Sequence, residues 1–62
     1  MKKYIKKSLG ENGKKYSQLF KGLKIKNFIT DLLLVGTLYN MIETGEVLKC
    51  YGGYYMLNKE VA

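Results

Sequence analysis

The chain has 62 residues, with eleven lysines against five acidic residues for a net charge of +6, and it contains no arginine, no histidine and one cysteine. A single cysteine excludes an intrachain disulfide, and the lack of histidine removes the usual zinc-site chemistry. No carboxylate pair is clustered, and no glycine-rich loop suits phosphate, so we expect no enzyme, no cofactor and no metal site. Such a short chain forms one domain, residues 1–62, with a small core that a partner would help to stabilise.

The charge is unevenly distributed along the chain. Residues 1–26 hold nine lysines and one acidic residue, a balance of +8, whereas residues 27–62 hold two lysines and four acidic residues, a balance of −2. A basic half is typical of proteins that meet phosphate or acidic surfaces, although a solvated helix face is the simpler alternative. Without arginine, any nucleic-acid binding would depend on point-charge contacts to phosphates.

The apolar segments indicate a cytoplasmic protein. The basic N-terminus lacks the apolar segment of about 7–15 residues that follows in a signal peptide. The most apolar run, residues 29–42, contains Asp31 and is shorter than the ~20 residues that span a bilayer, so we expect it to be a core helix. A lone thiol is typical of a reducing, intracellular setting.

The first half predicts two short helices. One runs from Lys2 to about Leu9, with Ile5 and Leu9 on one face, and ends at the turn residues 10–13. A brief extended segment follows at residues 14–16. Ser17 is the predicted N-cap of the second helix, which directs three apolar residues inward and ends near Gly22. Those residues are Leu19, Phe20 and Leu23.

The third predicted helix is long and supplies most of the core. Asn27 is its candidate N-cap, and it ends at about Thr44 because Gly45 tolerates the positive φ of a helix end. Gly36 lowers helix propensity in the middle, so either something packs closely there or the helix breaks. The predicted inward face is Ile25, Phe28, Leu32, Val35, Tyr39 and Ile42, widened by Ile29, Leu33 and Leu38. The predicted polar stripe is Asn27, Thr30, Asp31, Thr37, Asn40 and Thr44, interrupted by Leu34 and Met41.

The C-terminal part predicts a β-hairpin around Gly52 and Gly53, a pair suited to a two-residue type I′ loop. That loop places Tyr51 opposite Tyr54 and Cys50 opposite Tyr55. Alternation then divides the ribbon into two faces. The predicted inner face is Leu48, Cys50, Tyr55 and Leu57, with Cys50 as a small buried hydrophobe. The predicted outer face is Lys49, Tyr51, Tyr54 and Met56.

Three short helices, a helix-ending glycine and a hairpin resemble a winged helix-turn-helix domain. Leu38, Met41, Gly45 and Val47 are similar to the end of that family's recognition helix, and residues 47–50 and 54–57 resemble its wing strands. The resemblance implies an α+β fold, a three-helix core with a C-terminal β-hairpin wing. Residues 33–47 are also similar to the excisionase and MerR-type helix-turn-helix, in which Gly36 is the turn.

The winged-helix resemblance implies a small intracellular protein that binds double-stranded DNA as a homodimer. It would regulate transcription, or assist it, for a phage or mobile element. The candidate nucleic-acid-binding residues are Lys14, Lys15, Lys24, Lys26, Asn27, Thr30, Thr37, Asn40 and Lys49. The candidate dimer interface is Tyr51, Tyr54 and Met56, since aromatic and methionine side chains are enriched at interfaces.

An interaction module of the same fold is the alternative function, such as a phage-encoded inhibitor of a host complex. In that case the outer wing face and the third helix bind another protein. A membrane-active cationic peptide is a further alternative, which the lack of tryptophan and the well-specified hairpin disfavour.

Overall fold

A computed structural model describes residues 1–10 and 12–60. In chain order the elements are α1 (Lys2–Leu9), β1 (Lys14–Lys15), α2 (Tyr16–Lys21), α3 (Phe28–Glu43), β2 (Val47–Cys50) and β3 (Tyr54–Leu57). The described residues form an α+β fold with three helices and a three-stranded antiparallel sheet. The predicted helices and hairpin are confirmed. Residue 11 of the predicted first turn and residues 61–62 of the predicted domain lie outside the described residues.

The core lies where one side of α3 meets α1, α2 and the hairpin. Its fully buried side chains are Ile5, Leu9, Leu19, Leu34, Leu38, Met41 and Val47. Phe20 and Leu23 pack against this cluster, as predicted for the second helix. A hydrogen bond from the Tyr4 hydroxyl to the Leu19 carbonyl (2.6 Å) joins α1 to α2. The small core therefore depends on contributions from nearly every element.

The start of α2 differs from the prediction. Tyr16 is the first helical residue and Lys15 the N-cap, so the assignment of Ser17 as N-cap was wrong. Gln18 Oε1 accepts a hydrogen bond from the Lys15 N–H (3.0 Å), because a glutamine three residues after the cap reaches back to it. Ser17 instead lies exposed in the first turn.

Both predicted ends of α3 are confirmed. Asn27 Oδ1 accepts a hydrogen bond from the Thr30 N–H (3.0 Å), and Thr30 Oγ1 accepts one from the Asn27 N–H (3.0 Å). Gly45 follows the last turn with φ +85°. The helix does not break at Gly36, since α3 is continuous, and nothing within the chain packs closely there, because a Cβ would meet no atom of the described residues within 4 Å. The helix-turn-helix turn that the excisionase-type resemblance places at Gly36 is therefore not formed.

Most of the residues that were predicted to form the inward face of α3 are exposed instead. Phe28 is 74% exposed, while Leu34, predicted to interrupt the polar stripe, is 0% exposed. Leu38 and Met41 complete the buried side, and Ile42 packs against it. The exposed members of the predicted inward face are Ile25, Phe28, Ile29, Leu32, Leu33 and Tyr39. A helix that is apolar around most of its circumference has no single hydrophobic stripe, so periodicity alone does not select the buried side.

The sheet has the order β1-β3-β2, so the central strand is β3 and β1 adds a third strand to the predicted hairpin. Cys50 pairs with Tyr54 and Lys49 with Tyr55. The loop therefore has three residues, 51–53, and the predicted two-residue loop was wrong. Gly52 and Gly53 do take the expected positive φ, at +84° and +81°.

This one-residue change of register exchanges the two faces of β2. Val47 replaces Leu48 on the core side, and their exposed fractions are 1% and 47%. Partners in an antiparallel pair share a face, so Lys49 lies on the side of Tyr55 and Leu57. Cys50 lies half-buried on the outer side, where it was not predicted.

No helix in residues 1–10 and 12–60 is long and apolar enough to cross a bilayer.

Candidate interaction surfaces

The most apolar exposed surface lies on α3. We define the α3 outer face as Phe28, Ile29, Leu32, Leu33 and Tyr39, each of which is more than half exposed. Ile25 extends this face just before the helix. Together the six side chains expose roughly 700 Å², if a large apolar side chain offers ~200 Å² when fully exposed. That area exceeds the largest apolar patch of a typical monomer, roughly 300–600 Å².

The α3 outer face has charges at its ends and none along its length. Lys24 and Lys26 precede the helix and are exposed, and Glu43 is its last residue. Asp31 is the one charged residue between them in the sequence, and it is not fully exposed. The Tyr16 hydroxyl donates hydrogen bonds to the Asp31 carboxylate and to the Asp31 carbonyl oxygen (3.2 Å). This pair therefore joins α2 to α3 rather than interrupting the apolar surface.

The environment of Tyr16 favours its neutral form. Burial raises the pKa of Tyr16 to about 12, and the hydrogen bond to Asp31 and the negative charge of that carboxylate act in the same direction. A phenolate here would lose its hydrogen bond and face a carboxylate. The contact between α2 and α3 therefore depends on a protonated tyrosine.

A shallow open depression lies beside the middle of α3. Its lining residues are Met1, Lys2, Gly36, Thr37 and Asn40. The missing side chain of Gly36 forms part of it, and the start of α1 forms the opposite wall. The apolar face thus borders a recess whose walls are partly polar.

The lysines of the predicted nucleic-acid-binding set are exposed but occur on different elements. Lys14 and Lys15 lie on β1, Lys49 on β2, and Lys24 and Lys26 before α3. Lys14 and Lys49 both pair with Tyr55, from opposite sides, so their side chains leave the sheet on the same face as Tyr55 and Val47. Lys15 Nζ lies 5.3 Å from the centre of the Tyr54 ring, within range of a cation–π contact.

The four uncharged residues of the predicted nucleic-acid-binding set are not gathered on one surface. Asn27 and Thr30 bond to each other in the helix cap, which occupies the Asn27 side-chain oxygen and the Thr30 hydroxyl. Thr37 is half-buried, and Asn40 is exposed in the following turn. Asn40 is therefore the member of this set that most freely presents hydrogen-bonding groups.

The predicted interface residues lie at the end of the hairpin. Tyr51 is fully exposed in the loop, Tyr54 is 43% exposed and Met56 is half-buried. Tyr54 and Met56 share the outer side of the sheet with Leu48 and Cys50. This second apolar surface is smaller than the α3 outer face.

Two lysines of α1 are held by one carboxylate. Lys2 and Lys6 Nζ lie 3.4 and 3.6 Å from the Glu46 carboxylate, just before β2. A hydrogen bond from Thr44 and the two nearby ammonium groups lower the pKa of Glu46. These lysines therefore help to attach α1 to the loop between α3 and β2.

Sequence reasoning missed the α3 outer face because it assigned the same residues to the core. The available signal was that residues 28–42 are apolar on nearly every side, which is typical of a helix buried all round. In a 62-residue chain too few other residues exist to bury such a helix completely. No protein-family model, curated protein or solved structure matches this chain. Its function must therefore be inferred from its own contacts and exposed surfaces.

Proposed function

We propose that the chain is a small protein-interaction module that binds a protein partner through the α3 outer face. The observation that carries this proposal is the exposure of five large apolar side chains on one helix. Burial of apolar surface is the main favourable term in protein association, at about 25 cal/mol per Å². A surface of this size on a marginal fold is best explained by an interface.

The composition of the α3 outer face favours a protein over a base edge as its ligand. A helix that reads DNA needs side-chain donors and acceptors directed into the major groove. Phe28, Ile29, Leu32 and Leu33 have none, and the hydroxyl of Tyr39 stands alone among them. Such side chains suit an apolar groove or another helix, where anchors spaced three and four residues apart are the usual pattern.

A site-specific photocrosslinker tests this proposal in cells that express the chain. We expect Leu32→benzoylphenylalanine to give protein adducts and Leu48→benzoylphenylalanine to give far fewer. Leu48 is the matched control because it is also an exposed leucine, but on the sheet. Equal adducts from both positions, or nucleic acid as the sole crosslinked species at position 32, would contradict the proposal.

As a second candidate we propose a DNA-binding protein of the winged-helix kind. The order of three helices, a helix-ending glycine and a hairpin supports it, as do the net charge of +6 and the exposed lysines. In this candidate Lys14 and Lys49, whose side chains share one face of the sheet, contact phosphates. The protein would then act in the cytoplasm as a regulator or accessory factor.

A salt series with random duplex DNA tests the second candidate. We expect log affinity to fall linearly with log salt, and Lys14→Gln to reduce the slope by about 0.9 if its phosphate contact is lost. Lys59→Gln, also exposed but beyond the sheet, is the control and should change the slope less. Absence of duplex binding even at low salt would eliminate this candidate.

A further inference from the structure

We infer that the occupant of the α3 outer face is a second copy of this chain, packed antiparallel so that the two α3 helices cross at Gly36. This inference rests on the proposed interaction function and specifies its partner. In such a dimer the same surface of both copies is used, with a twofold axis beside Gly36.

The exposed area fits a self-complementary interface. The roughly 700 Å² that α3 and Ile25 offer is close to the ~800 Å² per partner of a standard protein interface. A second copy brings an equal apolar surface, so both are removed from water by one association. The residues bordering the patch at its ends are charged, which is the usual polar rim around an apolar interface centre.

The charges at the two ends of α3 select the antiparallel orientation. Lys24 and Lys26 lie at the N-terminal end of the face and Glu43 at its C-terminal end. An antiparallel pair brings the lysines of each copy near the Glu43 of the other. A parallel pair would bring like charges together at both ends, which is unfavourable.

Gly36 supplies an independent observation. It lies in the middle of α3, exposed, with open space where a Cβ would be among the described residues. A glycine lowers the stability of a helix interior, and no intrachain contact of the described residues requires one here. Close approach of a second backbone would require it, because a glycine lets two crossing helices come nearer than any other residue does.

The helical geometry indicates which side chains meet across the axis. At 100° per residue, Leu33 and Asn40 lie toward one edge of the outer face, and Leu32 and Tyr39 toward the other. A twofold axis at Gly36 keeps each edge facing its own equivalent. Leu33 of the second copy therefore lies over the depression beside Gly36 and Asn40. Leu32 of the second copy lies against Tyr39.

Sedimentation velocity of the full chain, from about 1 to 300 μM, tests the association. We expect a concentration-dependent dimer whose Kd rises at least tenfold in Leu33→Glu and in Gly36→Ala. Leu48→Glu is the matched control, with similar initial exposure and the same added charge, and should leave Kd within twofold. A glutamate is compatible with the exposed helix, and circular dichroism confirms that each variant folds.

Cysteine crosslinking in a Cys50→Ser background tests the orientation. We mix Lys26→Cys with Glu43→Cys and add a short thiol crosslinker. The antiparallel pair predicts mixed 26–43 products, because 26–26 and 43–43 pairs lie at opposite ends of a helix about 24 Å long. Predominance of the 26–26 and 43–43 products would overturn the antiparallel arrangement.

Three results would overturn the second-copy assignment. The first is a chain that stays monomeric at 300 μM. The second is a dimer that dissociates when Tyr54 and Met56 are both replaced by serine but persists in Leu33→Glu, which would locate the contact on the hairpin. The third is binding to phosphatidylglycerol vesicles that Leu33→Glu abolishes while no dimer forms.

The photocrosslinking experiment distinguishes failure of this inference from failure of the proposed function. Adducts from position 32 with twice the mass of the chain identify the second copy. Adducts with a different protein instead support the interaction function and reject the homodimer. If position 32 gives no more protein adducts than position 48, both the homodimer and the interaction function are rejected.

Discussion

Replacing Gly36 with alanine should stabilise the monomer, although it removes the residue that we place at the dimer crossing. Gly36 is exposed in the interior of α3, and an added Cβ meets nothing within 4 Å in the described part of the chain. Alanine therefore adds helix propensity without a clash. The expected gain is about 0.5–1 kcal/mol in the free energy of unfolding.

Urea unfolding followed by circular dichroism measures this gain. The experiment uses Leu33→Glu as the parent, so that the compared chains are monomeric under the proposed interface. A gain of 1 kcal/mol corresponds to a rise of roughly 4–8 °C in Tm for a domain of this size. A gain of about 1 kcal/mol is large against the roughly 3–5 kcal/mol that so small a core supplies.

Gly45→Ala is the matched control for the reasoning. Among the described residues a Cβ at Gly45 also meets nothing within 4 Å, but φ is +85° there. An L-residue pays roughly 1–2 kcal/mol in the left-handed region, so this substitution should destabilise the chain. If Gly36→Ala lowers stability or leaves it unchanged, then the continuous, open helix interior deduced at Gly36 is refuted.

Four further substitutions test other parts of the fold. Asn27→Ala should cost about 1 kcal/mol by removing the α3 cap, measured by urea unfolding, and no loss would mean that the cap contributes nothing. Gly52→Val and Gly53→Val should each lower Tm, because a β-branched residue is strained at positive φ; an unchanged Tm in both would contradict the observed loop. The folded-state pKa of about 12 for Tyr16 exceeds the unfolded value near 10. The stability that the neutral Tyr16 contributes to the fold is therefore present below pH 10 and lost as pH rises toward 12. Tyr16→Phe should flatten this loss in unfolding measured from pH 9 to 12, whereas parallel curves would contradict the role of the Tyr16–Asp31 contact.

Much of the local structure could be predicted because its causes are local. The bounds of α1 follow from the apolar spacing of Ile5 and Leu9 and the glycine-rich turn. The ends of α3 follow from a capping side chain at Asn27 and a residue tolerant of positive φ at Gly45. Each of these features needs only neighbours within about four residues, so the sequence contains the whole cause.

The candidate site could not be predicted because it depends on which side of α3 the rest of the chain covers. The α3 outer face and the buried side are both apolar. They differ because α1 and the hairpin pack against the buried side and leave the outer face exposed. The side chains of Lys14 and Lys49 likewise share one sheet face only because β1 pairs with β3. These are contacts between residues far apart in sequence, and no periodicity within one segment encodes them.

The sequence by itself determined where α1 and α3 run, that a hairpin follows Gly45, and that Gly52 and Gly53 occupy its loop with positive φ. Tertiary structure decided the hairpin register, because both a two-residue and a three-residue loop satisfy the local geometry. The three-residue loop is the one that buries Val47 instead of Leu48. It also decided which half of α3 is buried. An apolar helix gains similar free energy by burying either side, so the choice falls to the elements that pack against it.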